Sequence, residues 1–228
     1  MRQAIPHPRF NRNLEGSIDE LFEVIFFFEL DSLMRKVKTS PKPPFNSRLL
    51  ASLRSMNDCE FDLQPHLIGN SILLRPLQDV DAEWLYQVAS DPLIWQQHPS
   101  PLRYQRKVFD SQIFQSGILS KSTLVAVELG TSSIIGSSRY YDLDANNREI
   151  AIGLTFLARS YWGGRVNGEM KDLMLKHALN WAKRVWFHVG INNIRSRKAM
   201  EKIGAKLSHI APRLVNEVFV DHCFYYID

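Results

Sequence analysis

Arg159-Ser-Tyr-Trp-Gly-Gly-Arg-Val-Asn-Gly-Glu169 is the stretch on which the reading of this chain turns. Ahead of it, Ile150-Ala-Ile-Gly-Leu-Thr-Phe-Leu157 has the length and composition of a buried strand. Behind it, Met170, Leu173, Met174, His177, Ala178, Trp181 and Ala182 recur at helical spacing and mark one face of an amphipathic helix. Between them lies a turn carrying Gly163, Gly164 and Gly168. Strand, glycine turn and helix together aim free backbone N–H groups at an anion, and the helix N-terminus adds partial positive charge. Arg165 inside the turn and Lys171 beyond it suit a phosphorylated ligand. A glycine loop that only reverses the chain fits the same letters.

The surroundings sharpen the choice. Val185-Trp-Phe-His-Val189 reads as a second strand, with Val185, Phe187 and Val189 facing one way and Trp186 and His188 the other. Asn192 to Gly204 then starts on an N-cap residue and ends on a C-terminal glycine, with Ala199, Met200 and Ile203 on one face. Tyr161-Trp-Gly-Gly, Asn167-Gly-Glu169, Asn193-Ile-Arg-Ser196 and Ala199-Met-Glu-Lys-Ile-Gly-Ala205, in that order, resemble the acetyl-CoA-binding core of the GNAT superfamily. The branch containing the ribosomal-protein N-terminal acetyltransferases is the most similar, and the resemblance spans roughly Leu67 to Asp228. Two positions depart from it: Arg165 stands where the pyrophosphate loop usually has Gly, and Asn167 where it has Gly or Ala.

At 228 residues and 45% hydrophobic content the chain can bury a sizeable core. The net charge of +4 favours anionic partners without demanding nucleic acid, for which no interleaving of basic and aromatic residues speaks. Cys59 and Cys223 form no disulfide framework and no CxxC pair, and the histidines lack ligand spacing, so no metal is expected. No apolar run approaches roughly 18 residues, the length that spans a bilayer. A cytoplasmic protein, monomer or homodimer, with no membrane partner is expected.

Residues 1–65 read as an N-terminal extension, with a helix at 17–37 opened by the capping-box pattern Ser17-Ile-Asp-Glu20 and a Pro-rich linker at 39–45. Residues 66–228 form the catalytic domain. In it, Ile72 to Leu77 is the first strand. A helix follows with Trp84, Leu85, Val88 and Ala89 on one side, and Arg103 to Ser116 gives a second. Thr123–Leu129 and Ser133–Tyr141 make a hairpin, and Val218 to Tyr226 is the closing strand. Antiparallel turns followed by a strand–helix–strand step give an α+β fold: one mixed, strongly twisted sheet of six or seven strands with helices on both faces.

The resemblance implies the site. Acetyl-CoA is the co-substrate and an amine the acceptor. The pantetheine pairs along Leu154, Thr155 and Phe156, whose backbone supplies the oxyanion donor, and the diphosphate sits on Trp162, Gly163, Gly164, Arg165, Val166, Asn167, Gly168 and Glu169. Asn193 and Ser196 match positions that touch the cofactor near its thiol, while serving equally well as N-cap and first-turn residues. Glu149 is the carboxylate at hand for a base, since Ala151 stands where the family often carries one. Tyr226 offers a hydroxyl to the departing thiolate, and Trp95 and His98 wall the acceptor side. Ala151 in place of a carboxylate, with Arg165 and Asn167 in the loop, motivates a silent acetyl-CoA-binding module as the alternative.

Overall fold

Ile72 and Leu74 alternate with half-buried neighbours, and the same inward alternation recurs strand by strand through a single sheet. The computed structural model describes residues 61–228; the helix expected at 17–37 and the linker at 39–45 lie outside the described residues. The strands are β1 (Leu67–Ile68), β2 (Ile72–Pro76), β3 (Thr123–Glu128), β4 (Ile134–Asp144), β5 (Glu149–Leu157), β6 (Arg184–Gly190), β7 (Lys206–Val215) and β8 (Val218–Ile227). They form one eight-stranded sheet in the order β1-β2-β3-β4-β5-β6-β8-β7. Every neighbouring pair is antiparallel except β5 and β6, which run parallel.

The helices are α1 (Ala82–Ala89), the single turn α2 (Pro92–Trp95), α3, α4 (Val166–Leu179) and α5 (Ile194–Lys202). Helix α3 runs through Arg106–Phe109, a π-helical stretch Asp110–Gln115 and Ser116–Ser120. Two cores divide the layers. On one face Met170, Met174 and Ala178 of α4 and Met200 of α5 pack on Tyr140, Ile150, Ile152, Val185 and Phe187. On the other, Leu85, Ala89, Trp95, Phe109 and Ile113 cover Val125 and Phe156. Each Val, Leu, Ile, Met or Phe among them contributes about 1.5–3 kcal/mol on burial. Arg75 grips the buried carboxylate of Asp81 with two bonds of 2.7 Å, fixing the turn into α1.

Four expectations are corrected. The sheet has eight strands, one more than the upper count read from the sequence. Val218–Ile227 lies inside the sheet, and β7, exposed along most of its length, is the edge. Trp84 is exposed, because Leu85 and Ala89, four apart, set the buried stripe of α1. Finally, Phe61 is buried against Tyr140 and Trp181, so the core begins ahead of residue 66.

Candidate active site

Strands β5 and β6 pair at only three positions: Glu149 with Arg184, Ile150 with Val185, and Ala151 with Trp186. Past them the strands part. β5 stays paired with β4 as far as Leu157, and β6 stays paired with β8 as far as Gly190. Their facing edges beyond Ala151 and Trp186 therefore have no strand partner in each other, which opens a wedge in the middle of the sheet.

A bulge marks the β5 side. Ser137 opposes Phe156 while Arg139 opposes Gly153, so β5 carries one more residue than β4 across this interval. Leu154 absorbs it with φ 51°, a left-handed conformation that costs a branched-chain residue about 1 kcal/mol or more. Ser138 Oγ lies 2.7 Å from Thr155 Oγ1 and 3.3 Å from the Gly153 carbonyl, bracing the bulge. Gly136 permits it: a Cβ there would stand 2.1 Å from the Phe156 carbonyl oxygen.

The open end of the wedge meets two helix N-termini. The N-cap of α4 is Arg165, and no side chain among the described residues caps its first-turn N–H groups, the geometry that suits an anion. Gly163 holds φ +72°, and a Cβ on it or on Gly168 would meet nothing within 4 Å; the loop faces open space. The Arg165 side chain is exposed and makes no hydrogen bond or ion pair among the described residues. Val166 and Asn167 complete the first turn. α5 begins at Asn193, whose Oδ1 accepts from Ser196 N at 3.2 Å. Asn193 is thus a working N-cap, and the Ser196 hydroxyl forms no bond among the described residues.

Other predicted residues are placed less directly. Trp162 donates to the Leu157 carbonyl at 3.1 Å, and the Arg195 guanidinium stacks 3.9 Å from its ring centroid. Since one residue follows β5 and the other follows β6, this pair bridges the mouth of the wedge. Glu169 turns away from the loop: its carboxylate accepts from Ser71 N at 2.9 Å and from the Ser71 hydroxyl. Burial alone would raise its pKa; these bonds outweigh burial and hold it below the carboxylate range. Glu149 sits at the closed end, accepting from Trp186 Nε1 at 2.8 Å. Tyr226 is also at that end, packed on Trp186 and under Arg184. Trp95 is buried, bonded to the Ala89 carbonyl at 2.7 Å and packed on Phe156 of β5. His98 approaches Arg103 at 3.0 Å, and burial first, then Arg103, lowers its pKa to about 3.

Residues not singled out by sequence crowd the same wedge. Tyr141 on β4 reaches over β5 to His188 on β6, Oη to Nδ1 3.2 Å, and its ring lies where a Gly153 side chain would be. Arg213 contacts the same His188 nitrogen and bonds Asp142 at 3.1 Å. Burial foremost, with Arg213, lowers His188 to about 3; burial raises the Tyr141 phenol. On the opposite face Lys171 is buried, its Nζ 2.7 Å from Thr155 Oγ1 and 5.6 Å from the Phe187 centroid. Only the pairing of three strands brings Tyr141 and His188 together, so no local spacing signals them.

A sheet parted beside an uncapped helix N-terminus is an arrangement that suits a long ligand with an anionic end. The chain belongs to the GNAT acetyltransferase family: the family model described as acetyltransferase (GNAT) domain matches residues 71–206. It is thus an acyltransferase that draws on acetyl-CoA. Among solved structures it is similar to a GCN5-related N-acetyltransferase from Brucella melitensis (17% identity, 72% of this chain and 78% of that one, TM-score 0.62). It is also similar to a Vibrio cholerae chain provisionally assigned as a ribosomal-protein-serine acetyltransferase (14%, 72% and 97%, 0.55). A third, the Microcin C7 self immunity acetyltransferase MccE, was solved in complex with acetyl-CoA and AMP (18%, 74% and 99%, 0.58). At these identities the structures establish the fold alone. No curated protein matches. Among the described residues no group of three or more metal-ligating side chains occurs, and no helix is long and apolar enough to cross a membrane.

Proposed function

We propose that the chain transfers the acetyl group of acetyl-CoA to a primary amine, of a protein N-terminus or a small molecule, by direct attack in a ternary complex. The observation that carries the reading is the parting of β5 from β6 beside the uncapped start of α4. The wedge supplies main-chain partners for an amide-bearing pantetheine arm, and the helix N-terminus suits its diphosphate. An N–H in the Leu154–Phe156 bulge, turned out of the ladder by the positive φ of Leu154, is the donor for the charge that builds on the carbonyl oxygen.

The amine must attack neutral. Ala151 is buried and carries no base, and Glu149 is already engaged by Trp186, so it acts at most through water. Positioning of an amine deprotonated in solution carries most of the rate. Tyr141 is the hydroxyl lying over the wedge; kept protonated by burial, it is the donor for the departing thiolate, a role the sequence suggested for Tyr226. Asn193 and Ser196 serve at the cofactor's thiol end. The buried free thiol of Cys223 is in keeping with a cytoplasmic setting.

Titration calorimetry with acetyl-CoA, paired with a free-thiol assay across amine classes, tests the reading. Binding with amine-dependent CoA release is expected. Binding with no release from any amine would favour a silent acetyl-CoA module, the reading that buried Ala151 supports. No binding at concentrations far above millimolar would sink both.

A further inference from the structure

Among the described residues one lysine is buried and seven are exposed. The buried one is Lys171, in the second turn of α4. Its Nζ donates to Thr155 Oγ1 at 2.7 Å and stands 5.6 Å from the ring centroid of Phe187. Thr155 lies on β5 and Phe187 on β6, and both are past Ala151 and Trp186, the last residues at which the two strands pair. The amine therefore reaches both walls of the wedge from the α4 side.

Its surroundings leave it reactive. Nζ forms no ion pair and no second hydrogen bond among the described residues. Burial, with no charged group on α4, β5 or β6 contributing, lowers its pKa to about 7. At neutral pH about half of its population is then the free base, against less than about one part in a thousand of an ordinary lysine. Nζ is the donor to Thr155, so the lone pair of that free base is not spent on the bond. The Thr155 hydroxyl has Ser138 Oγ at 2.7 Å on its other side, which holds the pair at the β5 bulge.

An external amine must arrive neutral and finds no base at Ala151. Lys171 needs neither a base nor an encounter, because a neutral amine is already stationed beside the stretch that faces the thioester carbonyl.

We infer that Lys171 is a self-acetylation site, its amine taking the acetyl group of an acetyl-CoA seated in the wedge. The Nζ lone pair attacks the thioester carbonyl carbon, a C–N bond forms and the C–S bond breaks. The electron pair of that bond leaves on the CoA sulfur, and the proton shed by Nζ ends on the thiolate. An amide and free CoA result, with no further reactant. The amide carries no charge, so the modification removes a buried cation, and it does not pass the acetyl group on. The inference rests on the acetyl-transfer reading and adds to it an acceptor within the chain itself.

The test incubates the full chain with acetyl-CoA and no added amine, following CoA release, intact mass and the modified peptide. A burst of CoA equal to the chain concentration is expected, with one acetyl group per chain on Lys171. The burst should saturate with acetyl-CoA, be slowed by added CoA, and label Lys171 at least about tenfold faster than any exposed lysine. Lys171→Met should lose the burst and keep turnover of added amines. Thr155→Val keeps the amine and removes its anchor, so its burst should slow roughly tenfold, the scale of one hydrogen bond, and it serves should Lys171→Met misfold. Labelling confined to exposed lysines, rising without saturation, is plain chemical acetylation and overturns the inference. So does an unlabelled Lys171 in a chain that binds acetyl-CoA and acetylates added amines, and there the transferase reading stands. If Lys171 is labelled and no added amine is ever acetylated, the site stands and the external acceptor falls.

Discussion

Lys171 is a buried lysine whose only hydrogen bond among the described residues is to a neutral hydroxyl. Burial lowers its pKa from an ordinary 10.5 to about 7. Between those values the unfolded chain holds a proton that the folded chain does not, so stability rises with pH from about 7 towards 10.5; below about 7 the full penalty applies. Urea midpoints should accordingly climb between neutral and alkaline pH. Lys171→Met should flatten that climb and raise stability at neutral pH by on the order of 2 kcal/mol; an unchanged slope would show that the lysine is hydrated. His98 and His188, both lowered to about 3 chiefly by burial, act on the acid side: their contribution, present above 6.5, is lost as pH falls towards 3. Acid unfolding midpoints of the two histidine-to-glutamine variants measure it. At the reacting centre, Tyr141→Phe should lower kcat by about tenfold or more and leave the KM for acetyl-CoA near its original value. A similar loss from Tyr226→Phe and none from Tyr141→Phe would restore the sequence's first choice.

Among the elements, the bulge of β5 is the one on which the site depends. Gly136→Ala places a methyl 2.1 Å from the Phe156 carbonyl oxygen, so one strand must shift. Destabilisation of about 2 kcal/mol and a larger proportional loss of acetyl-CoA affinity are expected, read from denaturant melts and calorimetry. Affinity surviving intact would mean the bulge is not where the ligand pairs. Ile150 to Leu157 announced a strand by its apolar run, and the glycine turn with the helix behind it by spacing. The bulge was silent, because an extra residue exists only relative to a partner strand and Leu154 carries no turn signature. β7 escaped for a different reason. Ser208, His209 and Pro212 break any inward alternation on an exposed edge, where burial imposes no pattern. Pro212 suits that edge because a missing N–H there costs no ladder bond.

At the scale of the molecule, the glycine turn and the helix behind it were legible, and the groups brought together across strands were hidden. Loop, helix start and strand lie within one continuous stretch, 150–170, so chemistry and sequence run together there. The reach of Tyr141 to His188 is assembled from segments tens of residues apart. Each of those two side chains, read alone, is an ordinary aromatic of a strand. The three-position contact of β5 with β6 has a further mechanical meaning. The sheet consists of two plates, β1 to β5 and β6 to β8, joined along a short hinge. On the proposed reading, a thioester carrier seated between them would act as a keystone. Amide hydrogen exchange along the facing borders of β5 and β6 should therefore slow together when acetyl-CoA is added, with roughly 2.7 kcal/mol of added stability at a hundredfold excess over Kd. Slowing confined to one plate would mean that the carrier leans on a single wall rather than locking the two.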